Sequence, residues 1–253
     1  MHERILTEID AIEAEHKVTV IFACESGSRA WGFPSRDSDY DVRMVYHHPV
    51  DWYLSLGRKR DVIEKPIIDA LDINGWDIGK TLSLLRKSNP NILEWANSPI
   101  IYRETEAFAA VRSLLATGFQ PRASLLHYLN MADNTRRQFL ARDEINVKKY
   151  LYTIRPLMCG LWVSRSNSQP PMLYGELVDA VVDEARVREE IHALVTRKQD
   201  LNESDLIPRN DCLHDWIERT NASLRELVPE RTDAPAWEPF TAVFRQVIGH
   251  QPG

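Results

Sequence analysis

Apolar residues enter this chain in two rhythms. Ile5, Leu6, Ile9 and Ile12 recur at the spacing of one helical face among charged neighbours, so residues 2–16 read as an amphipathic helix. Residues 18–24 are an apolar run rich in β-branched side chains, the pattern of a strand. A second strand-like run covers residues 40–46, and two more lie near 61–65 and 67–73. Helical spacing returns in residues 75–85 through Ile78, Leu82 and Leu85, which puts Asp77 in the first helical turn.

Beyond residue 90 the strand pattern nearly disappears, residues 100–102 excepted. Helical periods cover 104–116, 121–142, 146–166, 173–181, 184–200 and 210–227, with polar or proline-rich breaks such as 166–171. Strands first and helices later predict an α+β protein. Its parts are expected to be a small mixed β-sheet domain over residues 1–103 and a helical domain over residues 104–253.

The candidate chemistry sits where the first strand stops. Glu25, Ser26, Gly27 and Ser28 end it in small residues that let backbone N–H groups approach an anion, and a short helix starting at Ser28 would aim more of them the same way. Ten residues then separate Ser28 from Asp39. Asp39 and Asp41 stand at i and i+2 in a strand-like run, so both carboxylates are expected on one face. Two such carboxylates repel unless a cation lies between them or one takes a proton. Mg²⁺ takes oxygen ligands, commonly one or two carboxylates plus substrate phosphates, and the pair suits it. The same Asp-Ser-Asp-Tyr-Asp string also fits a polar turn entering a strand. The combination of strand, Gly-Ser, spacer and Asp-x-Asp favours the nucleotide site.

Composition narrows the classes. With 43% apolar and 27% charged residues the chain is ordinary for a soluble globular protein. It has no apolar run near the roughly eighteen residues of a membrane span and no signal-peptide pattern, so a cytoplasmic location is expected. Cys24, Cys159 and Cys212 are too scattered for a disulfide framework or a zinc site. His47-His48 has no third ligand pattern beside it. A net charge of −6 argues against broad nonspecific nucleic-acid binding while allowing a local basic groove. Arg58-Lys59-Arg60 reads either as a solvated loop or as a polynucleotide contact.

Gly27-Ser28 followed by Asp39-Tyr40-Asp41 resembles the signature of the polymerase-β-like nucleotidyltransferase superfamily. The stretches 75–80, 87–99 and 148–156 resemble its RNA-repair-associated branch, so the likeness covers about two thirds of the chain. The resemblance implies a nucleotidyltransferase that uses Mg²⁺ or Mn²⁺ to move a nucleoside monophosphate from an NTP, such as ATP, to a hydroxyl, releasing pyrophosphate. The acceptor it implies is an RNA end, a protein or a small molecule. Asp39 and Asp41 are the expected metal ligands. A third acid on a neighbouring strand completes such sites, and Asp72 is its first candidate, with Asp69 and Asp77 as alternatives.

Lys148, Tyr152 and Arg155 stand at i, i+4 and i+7 and share one helical face, which is expected to look outward and bind the nucleotide with Gly27 and Ser28. A solvated basic face fits the spacing equally well. The competing reading of the whole chain is a catalytically silent nucleotide sensor or scaffold on the same fold.

Overall fold

The computed structural model describes residues 1–140, 142–200 and 205–249. It divides into two compact units, neither continuous in sequence. One comprises Met1–Gly27, Asp39–Phe119 and Ala234–Gly253; the other comprises Ser28–Ser38 and Gln120–Asp233.

In the first unit, α1 (His2–His16) buries Ile5, Ile9 and Ile12 completely and ends on Lys17, which takes the left-handed conformation at φ 53°. Strand β1 (Thr19–Glu25) follows; after the four-residue helix α2 (Gly27–Ala30), which from Ser28 on belongs to the second unit, the first unit resumes with β2 (Tyr40–His47), α3 (Val50–Leu54), β3 (Val62–Glu64) and β4 (Leu71–Asp77). Next come α4 (Ile78–Arg86), α5 (Pro90–Ala96), β5 (Ile101–Glu104), α6 (Glu106–Arg112) and α7 (Leu115–Gly118). The sheet order is β3-β4-β2-β1-β5; β2 and β4 run parallel and the other neighbours antiparallel. The mixed sheet with its helices is an α+β fold.

Alternation along the strands splits the core into two layers. Val42, Met44 and Tyr46 join α1 on one face, while Val45 packs with α4, α5 and α6 on the other. Asp41 and Arg43 share parity with Val45, and Asp72 shares parity with Trp76, which packs in that same second layer. Both acids therefore project from the face opposite α1.

The fourth strand begins later than the hydrophobic pattern predicts. Asp69 and Ala70 have φ of 49° and 61°, forming a turn where residues 67–73 read as a strand. The ladder then runs from Tyr40↔Leu71 to Tyr46↔Asp77, so residues 75–77 are strand and the helix starts only at Ile78. Asp77 is its N-cap, not a first-turn residue. Pairing with a buried neighbour overrides the local helical period there.

The second unit is built on α8 (Pro121–Phe139) and α9 (Val147–Ser166), joined by β6 (Glu144–Asn146), α10 (Tyr174–Val181), α11 (Ala185–Asp200), β7 (Leu206–Pro208) and α12 (Asp211–Glu226). Leu151, Ile154 and Met158 form the buried stripe that the spacing predicts, all at 0% exposure. Strands β6 and β7 pair antiparallel, two short elements that periodicity does not reveal. The last helix, α13 (Glu238–Val247), belongs to the first unit and buries Phe240, Val243 and Val247. Among the described residues no helix is long and apolar enough to cross a membrane.

Candidate active site

The first unit brings Asp41 and Asp72 together. They are direct partners in the parallel β2–β4 register and are about a quarter exposed. Between them lies a cation that sequence reasoning did not single out: Arg43 Nη2 donates to Asp41 Oδ1 at 2.9 Å and to Asp72 Oδ2 at 2.8 Å. Its Nη1 donates to the Val42 and Asp72 carbonyls, both at 3.1 Å. The signal was present as Asp-x-Arg, because i and i+2 on a strand share a face. Neighbouring carboxylates here are bridged by one guanidinium nitrogen instead of repelling each other.

Gly27 packs directly on Asp41. Its φ is +60°, and a Cβ there would lie 2.1 Å from Asp41 Oδ2. Both the backbone conformation and the space exclude a side chain. The glycine was expected for phosphate approach; what it visibly admits is the Asp41 carboxylate. Glu25, at 0% exposure, fixes the entry of β2 by accepting the Asp41 backbone N–H at 2.7 Å, and its other oxygen accepts from the Tyr102 hydroxyl. Sequence reasoning had named Glu25 only as part of the small-residue turn.

Asp39 lies one residue before β2 and is half-buried, so it enters from the loop and not from the strand itself. The alternative third acids fall elsewhere. Asp69 is in the turn and pairs with Arg4 at 3.3 Å. Asp77 sits at the far end of β4, five residues from Asp72, which is about 16 Å along a strand. There it accepts from Gly79 N–H and from the Tyr53 hydroxyl, both at 2.7 Å, and burial pushes its carboxyl above the usual range. Asp72 itself lies early on β4, not late as expected.

The donor set suits a hard dication. It offers half-buried carboxylate oxygens at matched register, and the position of Arg43 marks a place that attracts positive charge. Mg²⁺ or Mn²⁺ fits these residues on condition that Arg43 yields its contacts. Among the described residues no ready-made group of three or more His, Cys, Asp or Glu is arranged for a metal.

The second unit gathers the other predicted residues. Lys148 Nζ lies 5.7 Å from the Tyr152 ring centre, Tyr152 meets Trp31 edge-on at 5.1 Å, and the Arg155 guanidinium covers Trp31 at 4.2 Å. Lys148 and Tyr152 are half-buried, but Arg155 is 3% exposed. The face does not look outward along its length, because Trp31 draws Arg155 into a cation–π contact. Ser28 is also buried, its hydroxyl donating to Ser38 Oγ at 3.2 Å. Lys198, which sequence reasoning missed, is buried against the same segment and donates to Phe33 O, Ser35 Oγ and Ser38 Oγ at 3.2–3.4 Å. No local motif announces a lysine more than 150 residues away in sequence.

Residues 1–246 match the family model RlaP, described as the RNA repair pathway DNA polymerase beta family. The chain belongs to this family. Membership places it coarsely among polymerase-β-like nucleotidyltransferases. One relative is the "Uncharacterized protein YcgL" of Bacillus subtilis (strain 168), 43% identical over 238 residues, with 92% of each chain covered. A solved structure, a nucleotidyltransferase-like protein from Exiguobacterium sibiricum 255-15, aligns over 96% of this chain and 79% of its own at 13% identity and a TM-score of 0.33. The family assignment rests on the sequence match and not on that alignment.

Proposed function

We propose that this RlaP-family protein is a Mg²⁺-dependent nucleotidyltransferase, with Mn²⁺ able to serve, that transfers a nucleoside monophosphate from an NTP to a hydroxyl. The observation that carries the reading is the Asp41–Asp72 pair, aligned on neighbouring parallel strands, with Gly27 packed against Asp41. In the reaction the acceptor oxygen bonds to the α-phosphorus, the bond to the bridging oxygen of the β-phosphate breaks, and pyrophosphate leaves. Bound metal supplies positive charge that acidifies the acceptor hydroxyl and steadies the leaving group.

Asp39, Asp41 and Asp72 hold that charge, and Asp72 takes the acceptor's proton. Arg43 leaves the carboxylates as the metal–nucleotide arrives, and its guanidinium becomes available for a phosphate oxygen. Gly27 with Ser28 lines the phosphate approach, and Lys148, Tyr152 and Arg155 are the nucleotide-binding residues of the second unit. The family's description as an RNA repair pathway supports an RNA end as acceptor, ahead of a protein or small molecule.

A silent nucleotide-binding scaffold is the second reading, and Arg43 is the observation that favours it. An internal cation makes the acids tolerable without any metal. Incubating the protein with α-phosphate-labelled NTPs, Mg²⁺ or Mn²⁺, and separate RNA, protein and metabolite pools decides between them. Label on one pool identifies the acceptor; binding of NTP with no transfer to any pool favours the scaffold.

A further inference from the structure

At the other end of β2, on the face that carries α1, lies a cleft of about 360 Å³ that the proposed reaction does not use. Asp41 and Tyr46 are five residues apart, about 17 Å along the strand, and they face opposite sides of the sheet. One triphosphate cannot serve both places.

The walls combine a stack of flat rings with a basic rim. His48 stacks on Trp52 with ring centres 3.8 Å apart and planes within 5°, and Tyr46 meets His48 edge-on at 5.6 Å. Lys59 Nζ lies 4.5 Å from the Trp52 ring centre. Two groups this close cannot share one ring face, so Trp52 has His48 on one side and Lys59 on the other. Arg58 and Arg60 flank Lys59; Arg60 pairs with Glu64 at 2.6 Å, while Arg58 is exposed and makes no ion pair with a described residue. The Tyr46 hydroxyl, on the cleft wall, is buried with no hydrogen-bond partner among the described residues. It is a donor available to whatever enters.

Rings, cations and one buried hydroxyl match the parts of a nucleotide unit, whose base stacks and whose phosphates are anionic. A volume of this size, near the low end of the ~300–1,000 Å³ usual for ligand pockets, takes one base and not a folded duplex. Three basic side chains line the rim, more than a single phosphate group engages, and a polynucleotide strand offers successive phosphates to them. A mononucleotide presents its phosphates at one end only. In a chain of net charge −6, this local reversal of sign needs an anionic partner more than solubility does. Burial holds the His48 imidazole below its ordinary pKa, with His16, His47 and Lys59 adding repulsion, so the ring is neutral when it stacks.

We propose that this cleft is a second nucleic-acid site, which holds one unstacked base of a single-stranded RNA on the His48–Trp52 stack and its neighbouring phosphates on Arg58 and Lys59. On ligand entry Lys59 leaves the Trp52 face for a phosphate. The site gives a hold on the polynucleotide remote from the carboxylates, and it does not depend on the transfer reaction taking place.

Fluorescence anisotropy of a short fluorescein-labelled single-stranded RNA, with the full chain and no NTP or divalent ion present, tests it. Trp52→Ala and the charge reversal Arg58→Glu/Lys59→Glu should each weaken binding about tenfold or more, the latter with a shallower salt dependence. No transfer can take place without NTP and divalent ion, so binding under these conditions is read separately from the transfer reading. Unlabelled RNA should compete and the corresponding nucleoside monophosphate should not. Wild-type binding by the charge-reversed variant overturns the proposal, as does equal competition by the monophosphate. Arg58 is exposed and lies outside α3, so Arg58→Glu alone, which should weaken binding severalfold, gives a result that stands even if Trp52→Ala or Lys59→Glu loosens α3, and wild-type binding by it also overturns the proposal.

Discussion

Strands β2 and β4 carry acids at both ends, and the two ends treat them differently. At one end Asp77 is buried, caps α4 and is satisfied by a backbone N–H and the Tyr53 hydroxyl. At the other end Asp41 and Asp72 are partly exposed and share one guanidinium. Asp77 is tied to groups that cannot leave without unravelling a helix start. The Asp41–Asp72 pair depends on a long, flexible side chain that can turn away. A carboxylate committed to the fold and a carboxylate held in reserve are thus separable by the nature of their donors, although the residue type and the strands are the same.

The largest expected contrast is between substitutions at the two ends of β4. Asp72→Asn removes a charge that faces the metal and should lower nucleotidyl transfer about a hundredfold or more, whereas Asp77→Asn should leave transfer near normal. Steady-state transfer assays check it, and a dead Asp77→Asn protein with an active Asp72→Asn protein would reverse the assignment of the third acid.

Gly27→Ala probes how tightly the reserve pair is packed. Its φ of +60° and a Cβ placed 2.1 Å from Asp41 Oδ2 should cost about 1–2 kcal/mol in denaturant unfolding and impair transfer as well. Combining it with Asp41→Ala should recover part of the stability but none of the activity, a coupling that a double-mutant cycle reads directly.

Arg43→Ala sharpens the comparison further. Without the guanidinium two partly buried carboxylates face each other, and unfolding in the absence of divalent ions should become easier by about 1–2 kcal/mol. Adding Mg²⁺ should restore most of the loss. In the unchanged protein chelation should barely move the unfolding midpoint, because Arg43 already neutralises the pair.

The smallest effect concerns the committed end. Burial raises the Asp77 pKa above its unfolded value of 3.8, so the folded state loses stability as pH rises from that value through the raised one. Asp77→Asn keeps an acceptor for Tyr53 and removes this slope. Thermal unfolding at a series of acidic pH values should show a flatter profile for the variant.

Much of this was legible in the chain. Ile5, Ile9 and Ile12 declared α1, because burial leaves its period in the sequence, and the apolar run at 18–24 declared a strand, which the structure buries on both faces. The start of β4 was not legible. A turn with left-handed Asp69 and Ala70 shifts the strand by four residues, and only its pairing with β2 reveals the register. Asp41 and Asp72 could be nominated, but their alignment depends on that register. Glu25 and Lys198 escaped for a related reason, since each acts through a long-range contact that local spacing does not encode; for Arg43 the spacing to Asp41 was visible and only its tie to Asp72 was not. The discontinuous units have the same origin, since periodicity registers which residues are buried and not what they are buried against.

The central claim is that the reserve pair binds the metal for nucleotidyl transfer, and Asp41→Asn tests it most directly. Purified wild-type and Asp41→Asn proteins are incubated with α-phosphate-labelled NTP, Mg²⁺ and the acceptor pool that accepts label from the wild type. The account predicts label on the acceptor and free pyrophosphate with the wild type, and a loss of both by about a hundredfold or more with a folded Asp41→Asn protein. Equal transfer by the two proteins, or transfer undiminished by chelation, would contradict it.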